Sequence, residues 1–285
     1  MENQNVKELV EKYKLSKEEH NRILELIKKD LFSDRVVEER PSILFVIGQP
    51  GCGKTTFINN TNLSKYVIIN SDDYRSFSKY SKEILEKYPT DYAKLTNFDA
   101  HLWGDELFSF AIQNGYSVLR EKAPTDDSLL KLLKTIPYSY DVVIHVVVAG
   151  NLSSLLATRE RYEKEVLESD HAKLSNIEAH NKCYDLLPDF ILGCRSLGLK
   201  VNYIVPVDHN YKTFSVEDDY LNLLQRFREE SNEQSCLSYD IRMGNIKRNM
   251  IRRNASKEQF AELEKIESIY SEINKRDINK KVNKK

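Results

Sequence analysis

The chain has 285 residues, 40% of them hydrophobic, and its 43 Lys and Arg nearly balance its 44 Asp and Glu, which gives a net charge of −1. This composition is typical of a globular protein with a sizeable core, and it provides no overall field that would favour nucleic acid or a membrane surface. No apolar run approaches the ~20 residues that a membrane-spanning helix needs. The length allows one large α/β domain with an appendage, or two small domains.

The N-terminus and the cysteines predict the cellular compartment. Residues 1–5, MENQN, lack the basic-then-apolar pattern of a signal peptide. The four cysteines are scattered along the chain without C-x-x-C spacing. We therefore expect a cytoplasmic protein with reduced thiols and no membrane partner.

The first predicted element is a helical segment over residues 6–31. Within it, Ser16-Lys17-Glu18-Glu19 fits a capping box ahead of apolar residues at helical spacing. We assign residues 1–40 to an N-terminal helical segment, which either supports the sheet or contacts a partner protein. A short apolar strand rich in β-branched residues follows at 43–47.

The next segment is a phosphate-binding loop. Residues 48–55 read G-Q-P-G-C-G-K-T and fit the pattern G-x4-G-K-[ST] at every fixed position, between a predicted strand and a predicted helix. In such a loop the backbone N–H groups surround the phosphates of ATP or GTP, while Lys54 reaches the β- and γ-phosphates and the Thr55 hydroxyl binds Mg²⁺. The residues predicted to contact the nucleotide are Gly48, Gln49, Pro50, Gly51, Cys52, Gly53, Lys54, Thr55 and Thr56.

Strands and helices then alternate along the chain. The predicted strands are 66–70, 116–120, 142–148 and 201–205, and the predicted helical segments are 79–113, which stops at Asn114-Gly115, then 126–136 and 151–197. This alternation predicts an α/β fold of the P-loop NTPase type over residues 41–215, with three layers and a mostly parallel sheet that has helices on both faces. Residues 216–285 would form a charged helical C-terminal extension, with a last helix capped at Ser256 and a frayed tail from Asn279.

A phosphate loop identifies the ligand but not the reaction. A kinase needs a carboxylate that takes the proton of the acceptor hydroxyl and cations that stabilise the transferred phosphoryl group. Asp72 follows the second strand and could be that base, although an Asp at this position could instead cap a helix. Glu121 follows the third strand and would face the same edge of the sheet.

Cations for the phosphoryl group could come from a lid around residues 159–175. Arg161 and Lys173 flank the hinge-like stretch 167–171, and both would be able to close over the γ-phosphate. The competing interpretation is a ladder of i,i+4 charge pairs on an exposed helix.

The order of these motifs resembles the zeta toxin family, the kinases of bacterial toxin–antitoxin modules. The matching segments are residues 48–55, Ile69 to Asp72, Gly115-Tyr116 with Glu121, Glu160-Arg161-Tyr162 and Ala179-His180. The resemblance implies that Lys54 and Thr55 hold ATP and Mg²⁺, that Asp72 is the general base and that Arg161 and Lys173 are the cations. It also implies that Asp105 and Glu121 contact the substrate, that ATP phosphorylates the 3′-hydroxyl of UDP-N-acetylglucosamine or a related sugar nucleotide, and that an antitoxin protein blocks the nucleotide site.

Two segments depart from the family pattern. Lys173 stands where Arg is usual, and residues 122–125 read K-A-P-T in place of a glycine-and-threonine segment. Two alternatives therefore remain open. One is a kinase for another hydroxyl, on an antibiotic, a nucleoside or a polynucleotide end, and the other is a nucleotide-dependent switch without transfer chemistry. The basic excess after Tyr239 could form a nucleic-acid arm, but a solvated helix face is the favoured interpretation, so nucleic acid is not an expected partner.

Overall fold

The fold is built around one six-stranded sheet. The computed structural model describes residues 2–88, 91–168, 174–207, 210–216 and 218–282, with the side chains of residues 7–275 within these ranges. The strands are β1 Ser42–Ile47, β2 Val67–Ile69, β3 Val118–Lys122, β4 Asp141–Val147, β5 Lys200–Val207 and β6 Asn210–Ser215. Their order in the sheet is β2-β3-β1-β4-β5-β6.

The pairing of the strands confirms the predicted α/β fold with a mostly parallel sheet. β2 and β3 run parallel, with Val67 opposite Val118. β5 and β6 form an antiparallel hairpin in which Asn202 lies opposite Ser215. The prediction missed β6, because its residues are all exposed or half-buried and lack the apolar run that marks a buried strand.

Twelve α-helices and one 3-10 helix are present in the described parts of the chain. The helices are α1 Glu2–Lys12, α2 Lys17–Phe32, α3 Lys54–Asn59, α4 Ser81–Lys87, α5 Tyr92–Leu95, α6 Asn97–Gln113, α7 Ser128–Leu133, α8 Asn151–Glu168, α9 Ile177–Ser196, α10 Tyr220–Leu237, α11 Tyr239–Arg252 and α12 Lys257–Val282, and the 3-10 helix is Ser71–Phe77. Among these residues no helix combines the length and apolarity needed to cross a bilayer.

Several predicted boundaries were wrong. The helical segment expected over residues 6–31 is divided into α1 and α2, and Ser16 caps α2 as predicted by accepting a hydrogen bond from the Glu19 amide at 3.3 Å. The segment 79–113 is likewise divided into α4, α5 and α6. β3 extends through Lys122, so Glu121 lies inside the strand rather than after it. The tail expected to fray from Asn279 continues α12 as far as Val282.

The contacts divide the chain into two compact units. The first unit comprises Met1–Val46, Thr61–Glu121 and Thr135–Val143, and the second comprises Ile47–Asn60, Lys122–Lys134 and Ile144–Lys285. In the first unit α2 packs on α6 through a buried imidazole: His20 Nδ1 lies 2.8 Å from Asp99 Oδ1, and Nε2 lies 2.9 Å from Glu106 Oε2. The His20 ring also stacks on Trp103. These contacts favour the supporting role for the N-terminal segment.

Candidate active site

The phosphate loop lies in the second unit, between β1 and α3. β1 is buried along its whole length, which fixes the start of the loop in the core. At the loop's first residue the Gly48 amide donates to the carbonyl oxygen of Lys122 at 3.3 Å. Gly51 and Gly53 adopt φ of 79° and 97°, a region that only glycine occupies without strain. The glycines of the motif therefore provide the backbone path that the loop requires.

Helix α8 supports the loop from behind. A Cβ added at Gly51 would overlap the backbone carbonyl oxygen of Ser154 and would lie 2.7 Å from Thr158 Cγ2. The middle glycine of the motif thus permits the loop backbone to touch the first turns of α8. This contact makes the position of α8 a determinant of the loop's shape.

A chain of buried polar side chains ties the loop to α8 and α9. Gln49 Nε2 donates to the Ala149 carbonyl at 2.9 Å and to Ser154 Oγ at 3.3 Å. Ser154 Oγ lies 2.8 Å from His180 Nε2, and His180 Nδ1 lies 2.9 Å from Asn181 Oδ1. The sequence marked Ala179-His180 as a motif without assigning it a role, and the structure shows that His180 supports the phosphate loop.

The surroundings of His180 in this hydrogen-bonded network favour the neutral imidazole. Burial is the main cause that lowers the pKa of His180, and the nearby Lys54 charge lowers it further, while the Asn181 hydrogen bond acts in the opposite direction. A neutral ring that donates from Nδ1 to Asn181 can accept a hydrogen bond at Nε2 from the Ser154 hydroxyl. The loop is therefore supported by an uncharged network next to its own cation.

The ammonium of Lys54 lies within the loop itself. The residue is 7% exposed, and its Nζ donates to the carbonyl oxygens of Gly48 at 2.8 Å and Gln49 at 3.0 Å. Cys52 is also buried, with Sγ 4.0 Å from Nζ. A cation surrounded by loop carbonyls at the entrance of α3 is an arrangement suited to phosphate.

Sequence reasoning missed Tyr211, which lies on the unpredicted strand β6. Its hydroxyl donates to the Gly53 carbonyl at 3.4 Å, and its ring packs edge-on against Phe57 at 5.3 Å between centroids. Burial raises the pKa of Tyr211, whereas a hydrogen bond with Thr56 lowers it. No pattern in the sequence links this residue to a loop more than 150 positions earlier, since the link depends on the β5–β6 hairpin.

Asp72 lies in the first unit, on the 3-10 helix that follows β2. Its Oδ1 accepts hydrogen bonds from Arg75 Nε at 2.9 Å and Nη2 at 2.6 Å. The helix cap is Asn70, whose side-chain oxygen accepts from the Asp72 amide at 3.2 Å. The competing interpretation, in which an Asp caps this helix, was therefore wrong.

Asp72 belongs to a cluster of acidic groups within the first unit. Burial raises the pKa of Asp73, the charges of Asp72 and Glu121 raise it further, and the Asn70 side chain lowers it. The Asp72 and Glu121 carboxyl groups are therefore both within electrostatic range of the Asp73 carboxyl group. The structure thus places two of the predicted substrate-side residues, Asp72 and Glu121, near Asp73.

Asp105, the third predicted substrate-side residue, pairs with Arg120. Arg120 Nη2 donates to Asp105 Oδ1 at 2.8 Å, and the Arg120 side chain is 1% exposed whereas that of Asp105 is 65% exposed. Burial lowers the pKa of Arg120 and the Asp105 carboxylate raises it. Sequence reasoning overlooked Arg120, which follows the buried Val118 and Leu119 in β3.

The structure describes part of the predicted lid. Arg161 contacts Glu165 in an i,i+4 pair with Nε and Oε1 3.6 Å apart, and its Nη2 donates to Ser175 Oγ at 3.3 Å. This pair agrees with the competing interpretation at Arg161, whereas the neighbouring Arg159 is buried and pairs with Glu262 of α12. Lys173 and residues 169–171 of the hinge-like stretch lie outside the described residues.

Comparison with known protein families shows which family this protein belongs to. The family model described as "Zeta toxin" matches residues 28–191, which is more than half of the chain. The chain belongs to the zeta toxin family. A comparison with curated proteins found no match.

Solved structures share the fold of this zeta toxin family member. A chain from the PezAT chromosomal toxin–antitoxin system of the human pathogen Streptococcus pneumoniae has a TM-score of 0.67 and 20% identity, over 82% of this chain and 98% of that one. A structure of AvrRxo1-ORF1:-ORF2 with ATP has a TM-score of 0.50 and 13% identity, over 74% of this chain and 71% of that one. Together with the family match, the likeness identifies a P-loop fold of the kinase type.

Proposed function

We propose that this zeta toxin family protein is an ATP-dependent kinase that phosphorylates UDP-N-acetylglucosamine, or a related sugar nucleotide, at the 3′-hydroxyl of the amino sugar. The observation that carries the proposal is the phosphate loop, with a buried Lys54 enclosed by loop carbonyls and with a glycine, Gly51, where α8 leaves no room for a side chain. The acceptor follows from the family and from the acidic cluster around Asp72.

The loop residues fit ATP with Mg²⁺. The backbone of residues 48–53 would surround the phosphates, and the Lys54 ammonium would exchange its two carbonyl contacts for phosphate oxygens. The exposed Thr55, at the first turn of α3, would supply its hydroxyl to Mg²⁺. When bound, ATP supplies the phosphoryl group and the metal ion neutralises part of its charge. The family resemblance favours ATP over GTP.

Asp72 would act on the acceptor. As general base it would take the proton of the sugar hydroxyl, a role that proteins assign to a positioned carboxylate. The buried Arg75 holds the Asp72 carboxylate through Oδ1, which fixes its orientation. Glu121 and the exposed Asp105 would bind the sugar nucleotide through its hydroxyl and amide donors.

Arg161 and Lys173 would stabilise the charge of the transferred group. Arg161 is half-exposed and its contacts to Glu165 and Ser175 are long, so exchanging them for a phosphate oxygen would sacrifice little binding. Positive groups that meet the phosphoryl group only as it moves lower the barrier of transfer.

A partner protein would regulate the kinase. One structural neighbour comes from the PezAT toxin–antitoxin system, and another is a structure of AvrRxo1-ORF1 with -ORF2. We therefore propose that an antitoxin binds this protein and blocks the nucleotide loop. A polynucleotide acceptor is less well supported, because Arg242, Lys247 and Arg253 of the basic C-terminal helices are paired with carboxylates.

The test is ATP turnover by the purified protein with and without UDP-N-acetylglucosamine. We expect stimulation by the sugar nucleotide, a product heavier by one phosphoryl group, and a loss of about 10²-fold or more in Asp72→Asn. Asp73→Asn, on the same 3-10 helix, is the matched control and should retain most of the turnover. Full turnover in Asp72→Asn would disprove the role of Asp72. ATP binding without stimulation would disprove the acceptor while leaving the nucleotide site intact.

A further inference from the structure

The C-terminal extension of α10, α11 and α12 lies beyond the residues that the family model matches. In the second unit it packs on α8, the helix that backs the phosphate loop and carries Arg161. The apolar part of this contact is one buried cluster formed by Leu152, Leu155, Leu156, Tyr239, Met243, Ile246, Met250, Leu263 and Ile266. Such a cluster holds two elements together through burial of apolar surface, which is not directional.

Ion pairs with the C-terminal extension fix the rotation of α8 about its axis and its position along that axis. Glu163 is 0% exposed, and both of its oxygens accept from Arg253, with Oε2 2.6 Å from Nε and Oε1 2.8 Å from Nη2. Arg253 also donates to Gln259 Oε1 at 2.8 Å. A bidentate guanidinium–carboxylate pair of this kind is directional, and it requires the two planes to meet in one orientation.

Two further pairs act on the same helix. Both oxygens of Glu160 accept from Arg242 of α11, at 2.8 and 2.6 Å. The buried Arg159 donates through Nη2 to Glu262 Oε2 of α12 at 2.6 Å. Three residues of α8 within five positions are therefore attached to α11, to α12 and to the Arg253 that follows α11.

The opposite side of α8 meets the phosphate loop. The Ser154 backbone and the Thr158 methyl occupy the space beside Gly51, and Ser154 Oγ accepts from Gln49. Any rotation or displacement of α8 would push the loop backbone or withdraw its support, because no free volume separates the two at Gly51.

We propose that the C-terminal extension is a positioning element for the nucleotide site. Through Arg253, Arg242 and Glu262 it holds α8 in the one placement that keeps the phosphate loop in its binding shape. The inference rests on the proposed binding of ATP at this loop. It gives residues 216–285 a part in nucleotide affinity, without contact between those residues and the nucleotide.

The experiment measures ATP affinity by calorimetry and amide hydrogen exchange in residues 51–55, for the full chain and for Arg253→Gln. We expect the dissociation constant to rise about tenfold and loop protection to fall, within the range over which packed networks transmit coupling between sites. Arg253→Lys keeps the charge and should recover part of the affinity. Lys247→Gln is the matched control, since Lys247 pairs with Glu267 at 2.8 Å inside the same extension and both side chains are over two-fifths exposed.

A second set of variants keeps the inference testable if Arg253→Gln fails to fold. Arg242→Gln removes a partly exposed pair and should weaken ATP binding, while the charge-swapped double variant Glu160→Arg with Arg242→Glu should restore it. Unchanged affinity and loop protection in folded Arg253→Gln and Arg242→Gln would overturn the inference. If the unaltered protein does not bind ATP, the proposed function fails, and loop protection in the variants still decides whether the extension positions the loop.

Discussion

Replacing Gly51 by Ala tests whether the contact with α8 shapes the phosphate loop. The new side chain would adopt φ near 79°, where a left-handed conformation costs about 1–2 kcal/mol for an L-residue. Its Cβ would overlap the Ser154 carbonyl oxygen and lie 2.7 Å from Thr158 Cγ2, and overpacking of this kind costs about 1–3 kcal/mol. Together the two effects predict a loss of about 2–5 kcal/mol in the free energy of unfolding.

Urea unfolding and ATP calorimetry provide the measurement, with two control glycines. Gly198→Ala shares the left-handed φ, 71°, but its Cβ would meet nothing within 4 Å, so it should lose only the conformational cost. Gly53→Ala lies in the loop with a single neighbour at 3.5 Å, Tyr211 Oη, so it separates strain in the loop from overlap with α8. We expect Gly51→Ala to be the least stable of the three and to bind ATP weakest. Equal losses in Gly51→Ala and Gly198→Ala would refute the role assigned to α8.

Two histidines give further predictions. Burial lowers the pKa of His180 below its ordinary 6.5. Below pH 6.5 the imidazole is therefore protonated more readily in the unfolded protein than in the folded one, so the free energy of unfolding should fall as the pH drops. Thermal unfolding across this range should show a shallower fall in His180→Gln, and an unchanged slope would exclude the neutral Ser154–His180 contact. His20→Leu removes the ring that bridges Asp99 and Glu106. It should cost about 1–3 kcal/mol in urea unfolding, and full stability would contradict the support assigned to α2.

The elements that the sequence predicted best are those whose signal is local. β1 and the phosphate loop combine an apolar run with a fixed glycine pattern, and both are where the sequence placed them. Helix ends were predicted where a capping residue was recognised, as at Ser16 and at Asn114-Gly115. β6 escaped prediction because an edge strand that is half exposed is stabilised by its hairpin partner rather than by its own composition.

In the candidate site too, residues with a local sequence signal were predicted and residues that depend on distant partners were missed. Lys54 and Asp72 were predicted from motifs and strand positions, since strand ends in a parallel sheet restrict where loops can lie. Arg120 and Tyr211 were missed because each acts through a partner distant in sequence, Asp105 in one case and Gly53 in the other. The periodicity of a sequence shows which face of a helix or strand is buried, but it does not show which distant residue packs against that face.

The two ends of the sheet differ in how they are closed, and this bears on self-association. A strand with unpaired backbone groups can template pairing with a second copy, which is the first step of many aggregates. At one end β2 is only three residues long, which leaves little backbone to pair. At the other end the outward residues of β6 include Asn210, Lys212 and Thr213, and a charged Lys on an edge obstructs a neighbouring chain. These two edges limit strand addition from a second copy, and the fully buried β1 lies between β3 and β4, away from both edges.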